Sequence, residues 1–363
     1  MKKLDWYILR NFLSTFFFAI FLFTVIAVVI DISEKTDDFV KSKLGFMGVL
    51  TQYYYGFIPY IIALLFPLFV FIAVIFFTSK MAGRTEVIAI LASGTSFNRW
   101  LRPYWVGGIF LATILWFANQ YVIPNANHLR GDFEATYVDK NSTYNALLST
   151  DNSMYIRIDS FSYAGILNYQ TETKRGGPFF MHRLVNNKLV KNVRADILRW
   201  DTATKKWTLD NALVRDVDSM GEKVSWHPTL PMDFSFRSTD LSRDKYTKDK
   251  LTTPELQRFI ALEEMRGSEG LNELKVERYR RDATCVTVIL LTIIGAVVAG
   301  RKVRGGSGVH LAIGFITAAL FIVSDKFSTI FSTKGSLPPA LAAWIPNMIF
   351  VFVAWYLYRK APK

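Results

Sequence analysis

Six stretches of this chain are apolar for long enough to cross a bilayer: roughly 9–31, 53–77, 104–123, 283–299, 309–331 and 338–358. A helix rises 1.5 Å per residue, so ~20 residues cover the ~30 Å hydrocarbon core. Backbone polar groups in lipid must be satisfied within their own segment, which makes helix the form such runs take. With 51% hydrophobic and 15% aromatic residues, the composition suits a membrane protein that also carries a polar domain.

The first run imitates a signal peptide. Its apolar part, Phe12–Ile30, spans 19 residues, longer than the roughly 7–15 of a signal core. It ends in "DISEKTDD", with no small-residue cleavage site, so it reads as an uncleaved span. The fourth run is the shortest. The preceding "NELKVERYRRD" keeps helical composition, which predicts one longer helix.

Charge placement sets the orientation, because cytoplasmic loops carry the excess of Lys and Arg. With a cytoplasmic N-terminus, the cytoplasmic flanks hold thirteen basic residues against two acidic ones, Asp5 and Glu86. The short outer loops hold five of each sign, and residues 125–282 hold 25 basic and 23 acidic. Nearly all of the net +13 therefore lies on one side. No basic run interleaved with aromatics reads as a nucleic-acid surface.

The expected organisation is spans one to three in 1–123, an exported β domain in 124–250, a connecting helical segment in 251–282, and spans four to six in 283–363. Within the β domain, "SMYIRIDSF", "FFMHRLV", "LVKNVRADILRW", "KWTLDNALVRDV" and "EKVSWHP" are short β-type runs, and "DTATKK" reads as a hairpin loop. Strands at this spacing suggest a sandwich or barrel-like fold. In "LTTPELQRFIALEEMRGSEG", Thr253 is the expected cap, Pro254 fits the first helical position, Gly267 and Gly270 can end the helix, and Leu256, Phe259 and Ile260 share a face.

Catalytic signatures are absent. "AGRKVRGGSG" at 299–308 is glycine-rich and basic but lacks the Lys-Ser/Thr pair and preceding strand of a phosphate-binding loop. The four histidines have no ligand spacing, so no metal or other cofactor is assigned. Cys285, the single cysteine, sits in a span, so no intrachain disulfide is possible. "NST" at Asn141 matches a weak glycosylation motif. The chain is read as no enzyme.

"GRTEVIAILASGTS", residues 83–96, raises the functional question. Taken as a helix from Thr85 to Ser96, it puts Glu86, Ala89 and Ser93 on one face and Val87, Ile90 and Leu91 on another, with Gly94 able to end it and Thr95 or Ser96 able to cap the next turn. Such a helix between spans two and three can lie on the lipid or press into a groove on a partner. Glu86 either complements its own helix N-terminus and Arg84, or meets a partner's polar group.

At this point the sequence resembles a known family. "TSKMAGRTEVIAILASGTSFNRWLRP" looks like the cytoplasmic loop of the LptF/LptG permeases, with Glu86, Ala92-Ser93-Gly94 and Pro103 matching. "LDWYILRNF", "FANQYVIPNANHL" with Pro124 and Asn127, and "GSLPPALAAWIPNMIF" resemble the family's start and the flanks of spans three and six. "DKFSTIFSTKGSLPP" is closer to the LptG pattern than to LptF.

The resemblance implies an α-helical membrane protein of six transmembrane helices (3+3) with an inserted periplasmic β-jellyroll-like domain, in the bacterial inner membrane with both termini cytoplasmic. It implies the permease subunit of an ABC transporter that extracts lipopolysaccharide. Its partners would be an LptB-like ATPase dimer that binds the ATP, a paralogous LptF-like permease, and LptC/LptA-like β-jellyroll proteins. Arg84, Glu86 and Ser93 would then couple to the ATPase.

Lys35, Lys41 and Lys43 stand just beyond span one. They either contact lipid headgroups or form a solvated loop balanced by Asp31, Glu34, Asp37 and Asp38. Phe66 and Phe69 line a cavity or pack between helices, and Pro59 and Pro67 are expected to kink span two. Asp325 and Lys326 are a gate candidate, an interfacial pair or a mutually neutralised one. Two other functions fit more loosely: a membrane-anchored scaffold, which needs only one span, and an ion-coupled transporter, which would place charges or broken helices at mid-membrane.

Overall fold

The computed structural model describes residues 2–138, 154–170, 173–186, 188–202, 204–218, 221–234, 236–241, 247–267, 270–301 and 307–361. Asn141 lies outside them, as do 302–306 of the glycine-rich basic turn. Two compact units are formed. One comprises 1–137, 248–256 and 272–363, the other 138–247 and 257–271.

Six helices in the described residues are long and apolar enough to cross a membrane. Span one is α1, Lys3–Lys41. Span two joins α2, Phe46–Val49, a π-turn at Leu50–Tyr54, and α3, Tyr55–Gly83. The short helix α4, Glu86–Ala92, follows. Span three joins α5, Phe97–Phe117, a π-turn at Ala118–Val122, α6, Ile123–Phe133, and a π-turn at Glu134–Val138.

The return segment carries α7, Thr247–Lys250, and α8, Thr253–Arg266. Spans four to six are α9, Leu271–Ala299, α10, Ser307–Thr333, and α11, Pro339–Arg359. As the sequence implied, α9 reaches back through "NELKVERYRRD".

Three expectations change. Residues 31–41 are helix rather than loop, because "DISEKTDDFVK" carries no helix breaker and its Asp31 and Lys35 pair at one helical turn. Residues 124–138 continue span three rather than opening the β domain: the helical turn Ala118–Val122 runs directly into α6, with Pro124 near its start. The cap of α8 is Thr252, whose backbone N–H and hydroxyl both donate to Glu255 (2.9 and 2.6 Å). Thr253 instead opens the helix, and its hydroxyl accepts from Arg281 at 3.1 Å.

Hydrophobic packing makes span two the centre of the bundle. One face joins a core with Phe12, Phe16, Trp100, Leu111 and Val288 from spans one, three and four. The other meets Leu291, Ile294, Ala318 and Phe350 from spans four, five and six. Span four is 67% buried over its most apolar window, whereas spans one and five are each only 17% buried.

The β unit is one antiparallel sheet. Its strands are β1 Met154–Arg157, β2 Ser162–Ile166, β3 Arg175–Gly176, β4 Phe179–Val185, β5 Lys188–Ala195, β6 Ile197–Asp201, β7 Lys206–Asp218 and β8 Gly221–Met232. Their order is β1-β2-β4-β5-β7-β6-β3, with β8 along the other edge of β7. The run "LVKNVRADILRW" is two strands. β5 pairs the far half of β7 and β6 the near half, with Trp200 opposite Trp207 across the expected hairpin.

Asn211 explains how one strand serves both halves. At φ 55° it shifts the alternation by one, so Trp207 and Leu209 before it and Ala212 and Val214 after it all enter the same core. Asparagine tolerates this left-handed backbone better than most residues. β2 and β3 were not read from the sequence: "SYAGI" and "RG" are too short and too small in side chain to carry a strand signal.

Candidate functional site

Polar residues concentrate at the two ends of the helical bundle. At one end, the loop between spans two and three forms α4. Thr85 enters it at φ 60°, a left-handed conformation that β-branched residues rarely adopt, and Gly94 leaves it at φ 84°. Ser96 then caps α5 by accepting from the Arg99 N–H at 3.4 Å. Val87 is buried in the bundle core, and Ile90 and Leu91 pack partly against it. The apolar face of α4 is thus occupied by its own bundle.

Ala89 and Ser93 are exposed, and Glu86 is half-buried on the same face. Glu86 accepts from the Tyr7 hydroxyl at 3.3 Å, and its carboxylate lies 3.9 Å from Arg84. A cleft of about 150 Å³ beside it is lined by Tyr7, Asn11, Lys80, Arg84 and Glu86, among others. Arg84 and Glu86 are therefore brought together. Ser93 sits two turns away, its hydroxyl donating to the Ile90 carbonyl at 2.7 Å.

At the opposite end, a buried charge cluster has formed. Asp31 accepts from the hydroxyls of Tyr53 and Tyr54, each at 3.0 Å. Lys35 lies 3.1 Å from Asp31 and 3.0 Å from Glu134, and it also donates to the Tyr53 hydroxyl. Arg130 completes the group, 3.6 Å from Glu134 and with its guanidinium 3.7 Å above the Tyr60 ring. Asp31, Arg130 and Glu134 are each 7% exposed. Two cations and two anions at this burial neutralise one another, which is the condition for keeping charges out of water.

Of the three lysines beyond span one, Lys35 is thus committed internally. Lys41, on the last turn of α1, and Lys43, in the turn after it, are exposed and make no ion pair among the described residues. Sequence reasoning missed Tyr53, Tyr54, Arg130 and Glu134. The i, i+4 spacing of Arg130 and Glu134 carried the signal, but it is visible only once 124–138 is known to be helical.

Phe66 and Phe69 are buried in the bundle core. Phe66 meets the Phe16 ring edge-on at 4.9 Å, and Phe69 lies 4.6 Å from Phe23. Asp325 and Lys326 do not pair with each other. Neighbouring residues on a helix point about 100° apart, and Asp325 instead meets Arg280 of span four at 3.2 Å while Lys326 is exposed.

Several polar residues tie distant segments through backbone carbonyls. Arg281, 6% exposed, donates to the carbonyls of Lys248 and Leu251 at 3.0 and 2.9 Å. Asn127 donates to the Asp249 carbonyl at 3.1 Å, and Asn347 to the Ala283 carbonyl at 2.8 Å. Burial, with Glu277 adding repulsion, pushes the Asp249 carboxyl up to about 6, only partly offset by Lys248, Arg130 and Arg281. Among the described residues no three His, Cys, Asp or Glu side chains group as a metal site. The arrangement holds helices together and presents the polar face of α4.

Comparison with known proteins places this architecture. Residues 6–360 match the family described as Lipopolysaccharide export system permease LptF/LptG. Two relatives, both named Lipopolysaccharide export system permease protein LptG, come from Escherichia coli strain K12 and Escherichia coli O6:H1 strain CFT073. Each is 20% identical over 368 residues, spanning 99% of this chain and 98% of the relative. With nearly its whole length matched, six membrane-type helices and a β-sheet unit between the third and fourth, the chain belongs to the LptF/LptG family of lipopolysaccharide export permeases.

Proposed function

We propose that this chain is an LptG-like permease subunit of an ABC transporter that extracts lipopolysaccharide from the inner membrane and passes it to a bridge of periplasmic β-jellyroll proteins. An LptB-like ATPase dimer supplies ATP hydrolysis, an LptF-like paralogue completes the permease, and LptC/LptA-like proteins receive the lipid. Both termini and α4 lie in the cytoplasm and the β unit in the periplasm, consistent with thirteen basic residues against two on the assigned cytoplasmic flanks.

The observation that carries this reading is α4. It is rooted in the bundle by Val87, yet it turns Glu86, Ala89 and Ser93 away from that core. A partner that grips this face moves the spans with it. Spans one and five, each 17% buried over their most apolar window, leave apolar faces open to lipid or to a second permease. Exposed Lys41 and Lys43 remain the lysines suited to lipid phosphates.

The test is co-purification and export by the Glu86→Ala variant in the assembled transporter. Loss of the ATPase, or of lipid export, is expected. Retention of both at wild-type level removes the coupling role of Glu86.

A further inference from the structure

Span one is fastened at both ends. At its start, Asp5 is 4% exposed, and one carboxylate oxygen accepts from the Lys2 backbone N–H and from the Arg99 guanidinium, each at 2.8 Å. Arg99 sits in the first turn of α5, three residues after the cap that follows α4. Below this pair the two helices are in close contact. A Cβ at Gly107 would come within 2.6 Å of Phe12, and Phe12 also packs against Tyr104 at 6.2 Å between ring centres. Asp5, Leu9, Phe12 and Phe16 are all buried, at the spacing of one helix face.

The other end of span one carries Asp31 and Lys35, held by Tyr53, Tyr54 and Glu134. Twenty-six residues of unbroken helix separate Asp5 from Asp31, a distance of about 39 Å. An intact helix of that length transmits displacement and tilt, whereas a loop would absorb them. The outward face between the two fastenings meets little but its surroundings: Phe18, Phe21 and Val29 are each more than 60% exposed.

We infer that Asp5 and Arg99 are positioning residues that lock span one to the α4–α5 corner, so that motion imposed on α4 travels along span one to the Asp31–Lys35–Glu134 cluster. The inference rests on the coupling role proposed for α4 and adds the route by which it acts. The ion pair suits this task. Arg99 belongs to the corner, Asp5 to span one, and the carboxylate has almost no water to replace a lost partner. Tyr7, on the far side of α1 from Asp5, reaches Glu86 by a longer and exposed bond at 3.3 Å, so the shorter, charged and part-buried Asp5–Arg99 pair is the stronger of the two fastenings.

The experiment uses the complete transporter in proteoliposomes loaded with lipopolysaccharide, measuring ATP hydrolysis and lipid released per ATP. Asp5→Asn and Arg99→Gln are expected to keep the ATPase bound and hydrolysing while release per ATP falls at least about fivefold, the lower range for coupling between distant sites. The exchanged pair, Asp5→Arg with Arg99→Asp, is expected to regain most of that loss. Arg99→Lys keeps the charge and covers the case in which Arg99→Gln does not assemble.

Unchanged release per ATP in the single variants overturns the inference. So does an exchanged pair that assembles and is no better than either single variant, or loss of the ATPase from the Asp5 variant, which would make Asp5 a docking residue. Glu86→Ala in the same vesicles reports separately on the role of α4. If it exports normally with its ATPase bound, the underlying reading fails, whatever the Asp5 variants do.

Discussion

Lys35 and Glu134 are 99 residues apart in the chain and 3.0 Å apart in space, joined between the last turns of span one and the extended end of span three. This contact changes the meaning of the first lysine. Its charge is spent on two buried carboxylates, Asp31 and Glu134, while Lys41 and Lys43 stay exposed.

The three lysines should therefore separate by readout. Lys35→Ala leaves two nearly buried carboxylates short of a cation and is expected to cost about 3 kcal/mol of stability. Lys41→Ala and Lys43→Ala are expected to stay within about 0.5 kcal/mol of wild type. Thermal unfolding in detergent measures the first effect, and lipopolysaccharide binding at constant stability measures the other two. Equal melting temperatures for Lys35→Ala and Lys41→Ala would count against the internal role of Lys35.

Tyr7 and Glu86 offer a second separation. The Tyr7 hydroxyl is exposed and its bond to Glu86 is long, so Tyr7→Phe is expected to leave export within about twofold of wild type, under 0.5 kcal/mol. Glu86→Ala is expected to abolish it. If Tyr7→Phe proves as damaging as Glu86→Ala, the contact within the chain, rather than one to the ATPase, is what Glu86 supplies.

Asp249 predicts a pH dependence. Its folded-state carboxyl titrates near 6, above the ordinary value of about 3.9. Between those values the folded protein holds a proton that the unfolded chain has lost, so stability falls as pH rises through this window and is level above it. Asp249→Asn removes the penalty. The variant is expected to melt higher than wild type at pH 7.5, by about 2 °C or more, with the gap closing as pH falls from 6 towards 4. A gap that is constant across this range would show that Asp249 is not the titrating group.

Gly56 lies where span two crosses α6. An added Cβ would meet the Ala126 carbonyl oxygen and come within 2.8 Å of the Arg130 nitrogen, both backbone atoms that cannot swing aside. Gly56→Val is expected to push the helices apart beneath the charge cluster and to cost about 1–3 kcal/mol. Gly83→Ala, with open space around its Cβ, is the control. Matching unfolding curves for the two variants would refute the close approach.

The amino-acid sequence by itself determined the six spans, the β character of the middle region and the helix between spans two and three. Each of these is a property of a local window. Hydropathy adds up residue by residue, and the turn residues around α4, Gly94 and Ser96, act on their immediate neighbours. Span ends were harder to read. Polar helical extensions such as 31–41 and 124–138 lose the hydropathy signal while keeping helical geometry, because once outside the apolar core a helix can carry charge.

Only the tertiary structure decided which charge meets which. Asp325 has Lys326 beside it in sequence and Arg280 beside it in space, and Lys35 reaches Glu134 across nearly a hundred residues. Pairing is a contact between segments brought together by helix packing, and no local window contains both partners. The same reason hides the Asp5–Arg99 lock, which exists because Phe12 and Gly107 let spans one and three approach closely enough for the two side chains to meet.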